Sequence, residues 1–98
     1  MRTYKIPALG LEIMARDIAK PLLFSTNYSK DGWRYPTNDE FTFLLKLSDE
    51  LGILGLVKGR DHYYPSKEKE TGEIQRQMTT DAYGQDAMRP HCRLVRDI

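Results

Sequence analysis

The stretch Thr37-Asn38-Asp39-Glu40 constrains this chain more than any other, because it fixes where a helix must begin. Thr37 and Glu40 have the spacing of a capping box: the threonine hydroxyl accepts from the Glu40 backbone N–H, and the carboxylate accepts from the Thr37 N–H. Two acids in the first turn also suit the positive end of the helix dipole. Phe41, Leu44, Leu45, Ser48 and Leu51 then recur at helical spacing, with Leu47 widening the stripe. Gly52 stands where a left-handed residue closes a helix, and Ile53 supplies the apolar contact that often follows. The pattern predicts a helix over 38–51.

Short strands are expected around it. Tyr4 and Ile6 alternate with Lys5, and Leu11 and Ile13 alternate with Glu12. Pro7 cannot donate to a ladder, so the start reads as an edge strand or as two short strands broken at Gly10. Residues 17–27 read as a second, short helix with Pro21 in its first turn. Asn27 to Gly32 is turn chemistry, as is Lys58 to Asp61. His62-Tyr63-Tyr64 reads as strand, and the charged run from Lys67 to Glu73 as a solvated hairpin loop. Ile74 to Thr80 reads as strand, with Ile74, Arg76 and Met78 on one face and Gln75, Gln77 and Thr79 on the other. Residues 81–88 read as loop and 92–96 as the last strand. The expectation is one α+β domain over residues 1–98, with a small mixed or antiparallel sheet and no internal repeat.

Charge bears on partners. Fifteen basic side chains face fourteen acidic ones, a net charge of +1, without the basic stripe that a nucleic-acid backbone selects. The densest basic stretch, Arg89, His91, Arg93 and Arg96, runs into Asp97. Cys92 is the one cysteine, so an intrachain disulfide is excluded and a small secreted scaffold is disfavoured. Met1 to Lys5 leads into no apolar run of signal-peptide length, and Leu51 to Val57 falls far below the ~20 residues of a membrane span. A cytoplasmic setting is expected, or one associated with a virion.

Catalysis needs a nucleophile, a base and an orienting group. Ser25, Ser29, Ser48 and Ser66 lack motif context, and Asp39 and Glu40 are explained by capping, so no enzyme is expected. Gly52, Gly55 and Gly59 follow a helix rather than a strand, and no Lys-Ser/Thr closes them, so they are turn glycines. His62, His91 and Cys92 are the soft-metal candidates; adjacent side chains on a strand point to opposite faces, which separates His91 from Cys92. No metal or cofactor is expected. The stretch from Gln75 to His91 is either a solvated hairpin with a long loop or a contact surface; it mixes amides, an aromatic and a thioether: Gln75, Gln77, Thr79, Tyr83, Gln85, Met88 and His91. Such side chains suit adaptable contact with a partner. Tyr63 and Tyr64 alternate in facing, so one is assigned to the core and Tyr64 to that surface. Trp33 is expected to pack in the core beneath the helix, with Arg34 bracing the same corner.

Three segments in order resemble a known family. Gly32-Trp33-Arg34-Tyr35-Pro36-Thr37, with Glu40 after it, looks like the Gly-Trp-Arg-Leu-Pro-Thr helix entry of bacterial and phage C-type-lectin-like domains of the Lcl C-terminal type. His62-Tyr63-Tyr64-Pro65-Ser66 is similar to that family's Tyr-Trp-Ser-Ser strand. Cys92-Arg93-Leu94-Val95-Arg96-Asp97-Ile98 resembles its closing Val-Arg-Cys-Val-Arg-Asp-Leu. Leu11 to Ile18 looks like the segment before the first helix of short members. The resemblance implies a compact C-type-lectin-like fold with Trp33, Arg34, Pro36, Thr37 and Glu40 in structural roles. It departs from the family in the short 17–32 region and in the missing tryptophan at Tyr64. The calcium and sugar motifs of animal lectins are absent. Formylglycine-generating oxidases share the fold but need a cysteine pair, which Cys92 alone cannot supply. The reading is a calcium-independent, non-catalytic module that binds a protein, or failing that a glycan, as a phage-encoded or accessory protein acting on a host macromolecule. The alternative is a virion or fibre component forming a homo-oligomer.

Overall fold

Local rules build the helix as expected. In the computed structural model, whose described residues are 2–18, 29–58, 62–79 and 89–98, helix α1 spans Asn38–Leu51. The Thr37 hydroxyl accepts from the Glu40 N–H at 3.2 Å, and the Glu40 carboxylate accepts from the Thr37 N–H at 2.9 Å. Gly52 ends the helix at φ 64°, its N–H donating to the Ser48 carbonyl, in the left-handed region that glycine enters without strain. Thr37→Ala removes one half of the box and is expected to cost about 1 kcal/mol of stability, read as a lowered urea midpoint at unchanged slope.

The remaining elements form two sheets where one was expected. The first contains β1 (Thr3–Ile6), β2 (Leu11–Met14), β3 (Ser29–Lys30) and β4 (Trp33–Arg34), joined by β8 (Val95–Asp97). Its order is β1-β2-β8-β4-β3, with every neighbouring pair antiparallel. A 3₁₀ turn at Pro7–Leu9 and Gly10 at φ 64° break the first run into β1 and β2. Asp31 and Gly32, at φ 56° and 82°, make the two-residue turn that the right-handed twist of a hairpin favours. Gly32 is needed there twice over, because a Cβ would also lie 3.3 Å from the Arg96 side chain.

The second sheet holds β5 (His62–Lys67), β6 (Ile74–Met78) and β7 (Arg89–Pro90). β5 pairs antiparallel with β6 and parallel with β7. The charged run closes the β5–β6 hairpin, with the Glu68 N–H donating to the Glu73 carbonyl and the Gly72 N–H to the Glu68 carbonyl, both at 2.8 Å. Pro36 is buried, and its carbonyl accepts from the Lys67 N–H at 2.9 Å. That contact and the Thr37–Lys67 bridge join the helix entry to β5.

Alternation from Leu94 into β8 divides the core. Val95 faces one side with Ile6, Leu11 and Ile13, where Phe41 and Leu44 of α1, Leu54, Leu56 and Tyr64 complete the main cluster. Leu94 faces the other side, in a smaller cluster with Trp33, Tyr35 and Cys92. Trp33 is thus buried, but on the sheet face away from the helix rather than beneath it. The register explains this: Trp33 pairs with Arg96 and Arg34 with Val95, and paired residues share a face. The Arg96 guanidinium stacks 4.6 Å from the Trp33 ring centroid. Its other contacts are hydrogen bonds to Glu12. Those bonds come first in holding the Glu12 carboxyl below the usual range, followed by the Thr3 hydroxyl.

The expected short helix at 17–27 lies almost wholly outside the described residues. The last strand sits three residues later than its start at Cys92 was expected; Cys92 and Leu94 still accept from the Ile18 and Met14 N–H groups, at 2.9 and 3.1 Å. No helix among the described residues is long and apolar enough to cross a membrane.

Candidate functional site

Arg34 and its partners make a rigid corner. Its guanidinium donates to both Glu40 carboxylate oxygens, at 2.8 and 3.0 Å, and to the Tyr35 carbonyl at 3.1 Å. It also donates to Asp97 of β8, at 2.8 Å and more loosely at 3.4 Å. A planar fork held by two carboxylates is a strong, oriented contact. Burial raises the Glu40 carboxyl, but Arg34 and the Thr37 N–H outweigh it and hold the group below its ordinary value. The Arg34 hydrogen bond lowers Asp97 in the same way.

The sequence-derived surface residues fare differently. Tyr64 was assigned to the surface, yet it is 1% exposed. Both tyrosines are buried because β5 is covered on its two faces. Tyr64 lies against Phe41 with ring centroids 5.5 Å apart, and Arg76 lies 5.0 Å over the Tyr63 ring. Gln75 and Gln77 do share a face, but it is the face toward the helix entry. The Asn38 amide donates to Gln75 Oε1 at 2.8 Å. The Asn38 side-chain oxygen Oδ1 accepts from the Ser66 hydroxyl at 2.5 Å and from the Gln77 amide at 3.3 Å. These amides fasten the first turn of α1 to the β5–β6 hairpin. Tyr83, Gln85 and Met88 lie outside the described residues.

His91 leads to the group of residues that sequence reasoning missed. On β5, His62, Tyr64 and Ser66 follow one another at period two and share a face. The His91 ring lies between the first two, 4.8 Å from the His62 centroid and 5.4 Å from that of Tyr64. His62 Nδ1 and His91 Nε2 are 2.6 Å apart, and His91 Nδ1 is 3.2 Å from the Asp17 carboxylate. A carboxylate accepts only, so His91 presents Nδ1–H to Asp17. While His91 is neutral, its Nε2 lone pair accepts from His62 Nδ1–H.

Asp17 is the hub. It accepts from Arg93 Nε at 2.9 Å and from the Tyr64 hydroxyl at 3.0 Å, and that hydroxyl in turn accepts from the Val57 N–H at 2.9 Å. Arg93, its side chain 3% exposed, also donates to the carbonyls of Met14, Leu54 and Gly55. Leu54 and Gly55 stand at φ 71° and 55°. For leucine this is a strained backbone, in a turn whose carbonyls Arg93 holds. Burial pushes the Tyr64 phenol up and lowers His91, with Asp17 pulling His91 partly back. Burial also raises the Cys92 thiol to about 12, which leaves little nucleophilic thiolate at neutral pH.

The cluster can orient imidazoles and hold protons. Asp17, His91 and Arg93 carry their partners within the fold. Among the described residues, no three or more His, Cys, Asp or Glu side chains converge as a metal set. His62, His91 and Tyr64 were each singled out in the sequence, though not as one group; Asp17 and Arg93, 76 positions apart, gave no signal.

The chain matches no protein-family model, no curated protein and no solved structure.

Proposed function

We propose that this chain is a non-catalytic binding module that recognises a protein, in preference to a glycan, through the connection between β6 and β7. One observation carries the reading: both ends of that connection are pinned beside a single residue of β5. Met78 pairs with Tyr63 from one side, and Pro90 pairs with Tyr63 from the other, with Arg89 against His62. The chain thus leaves β6 and enters β7 on the two sides of Tyr63, and recognition segments are commonly displayed on rigid stems of this kind. The intervening sequence carries Tyr83, Gln85 and Met88, side chains suited to adaptable contact.

The C-type-lectin-like reading is part of the same proposal. Its support is that two of the resembling segments meet: Arg34 of the helix entry binds Asp97 of the closing segment. A cytoplasmic or virion-associated setting is proposed with it. The test is affinity capture from lysate of the source organism or its host, with the tagged chain beside a Tyr83→Ala/Gln85→Ala variant of equal stability. The expected result is a macromolecule retained by the wild type, lost by the variant and destroyed by protease. Destruction by glycosidase instead would make the ligand a glycan. If both chains recover only themselves, the module reading fails, and concentration-dependent sedimentation would favour a self-assembling protein.

A further inference from the structure

The two imidazoles meet between the start of β5 and the exit of β7, and this contact has a property that packing alone does not require. One N–H···N bond of 2.6 Å spans the two segments, beside the His91 N–H that donates to the Tyr63 carbonyl at 2.9 Å. We propose that His62 and His91 form a proton-operated latch, which holds β7 against β5 while the pair carries at most one extra proton and opens when it takes a second.

The argument is one of proton placement. With both rings neutral, His91 Nδ1–H faces Asp17, and His91 Nε2 accepts from His62 Nδ1–H. A first extra proton has a place to go, His62 Nε2, which this bond does not use. The bond survives, now donated by an imidazolium, and charge strengthens it. A second proton can enter only at His91 Nε2, where it meets the His62 Nδ1–H head-on. Two donors cannot share that contact, and two like charges cannot stay at that distance in a half-buried site.

The groups facing the pair among the described residues act in both directions. Asp17, from the segment after β2, favours a charged His91. Arg93, from the segment after β7, does not: it is a fixed cation bound to the same Asp17 carboxylate. Tyr64 of β5 presents its ring to His91 and its hydroxyl to Asp17. The lowered His91 value, with burial as its first cause and His62 among those acting in the same direction, accords with this order of protonation. The sign follows. A group depressed in the fold contributes stability that is present above its unfolded value, ~6.5, and is lost as pH falls through its folded value. The latch therefore opens on the acid side of about pH 6.5. Glu12, Glu40 and Asp97, all held low, lose their contributions only below about pH 4, so the two acid responses separate.

The test uses the free chain, with no ligand, and is independent of what the protein binds. Imidazole ¹⁵N resonances are followed from about pH 8 downward, together with exchange of the His91 backbone N–H corrected for its intrinsic pH dependence. At the alkaline end both rings should be Nδ1–H tautomers. Two titration steps should follow, separated by more than about one pH unit, as for any strongly coupled pair. His91 N–H protection should fall about tenfold or more across the second step, while the Met14 N–H bonded to Leu94 keeps its own. His62→Asn supplies an amide near the Nδ1 position that can turn from donor to acceptor, so this variant should stay protected through the acid range. Independent titration of the two rings near their ordinary value, an Nε2–H tautomer on His62, or equal loss of protection in wild type and Asn variant would each overturn the proposal. Should the variant fail to fold, the wild-type tautomers and the splitting of its titration decide alone.

Discussion

Replacing Arg93 with methionine is expected to remove about 3–5 kcal/mol of folding stability, a large part of the ~5–15 kcal/mol that holds a domain of this size together. Methionine keeps the apolar stem but deletes the guanidinium. The half-buried Asp17 carboxylate then keeps only Tyr64 and His91, and the carbonyls of Leu54 and Gly55 lose the donor that reaches them. The penalty comes less from a lost attraction than from a carboxylate left without its countercharge and carbonyls that lose a donor. Adding Asp17→Asn should return about 1–2 kcal/mol, because the orphaned charge disappears, and the double-mutant cycle reads that coupling directly. Urea titrations of the four proteins check both figures. A loss below about 1 kcal/mol for Arg93→Met would mean that the guanidinium behaves as a surface group and does not hold the cluster.

Two substitutions on the same face-seeking helix should differ widely. Phe41→Ala is expected to cost about 3–5 kcal/mol, since the ring is 2% exposed and lies against Tyr64. Leu51→Ala, at a side chain 62% exposed, should stay within about 0.5 kcal/mol of wild type. Both change an apolar residue of the stripe to alanine, so helix propensity does not separate them; burial does. Midpoints from thermal and urea unfolding would show the contrast. Equal losses would place Leu51 in a contact it does not make in this fold. The Phe41 variant should also loosen the ring column that continues through Tyr64 to His91, since a cavity at one end removes packing from the next ring.

These two predictions mark what the sequence makes readable. The helix is legible residue by residue, because Thr37, Glu40 and Gly52 act on neighbours three or four positions away. The break at Gly10 is legible for the same reason. Trp33 was readable as buried but not as to which side, since facing depends on its pairing with Arg96 far along the chain. β3 and β4 are two residues each, too short to show a period, so only their Asp31-Gly32 turn announces them. The candidate site is the least legible part. Gln75 and Gln77 look like free surface amides until Asn38 is brought to them, and the basic stretch near the end looks like a surface until Arg93 turns inward to Asp17. Nothing local distinguishes an arginine bound for the interior from one bound for solvent.

The position of β8 has a kinetic consequence. This strand arrives after all the others yet occupies the middle of its sheet, between β2 and β4. Its contact with β2 joins Glu12 to Arg96 across 84 positions, so a very large loop must close before that pairing is rewarded. The helix and the β5–β6 hairpin can form from neighbours within microseconds, whereas the five-stranded sheet must wait. Until β8 inserts, β2 and β4 each offer a bare edge carrying Ile13 or Trp33. A second unfinished copy could supply the missing strand as readily as the chain itself. Refolding yield should therefore fall with concentration more steeply than the stability of the finished fold suggests.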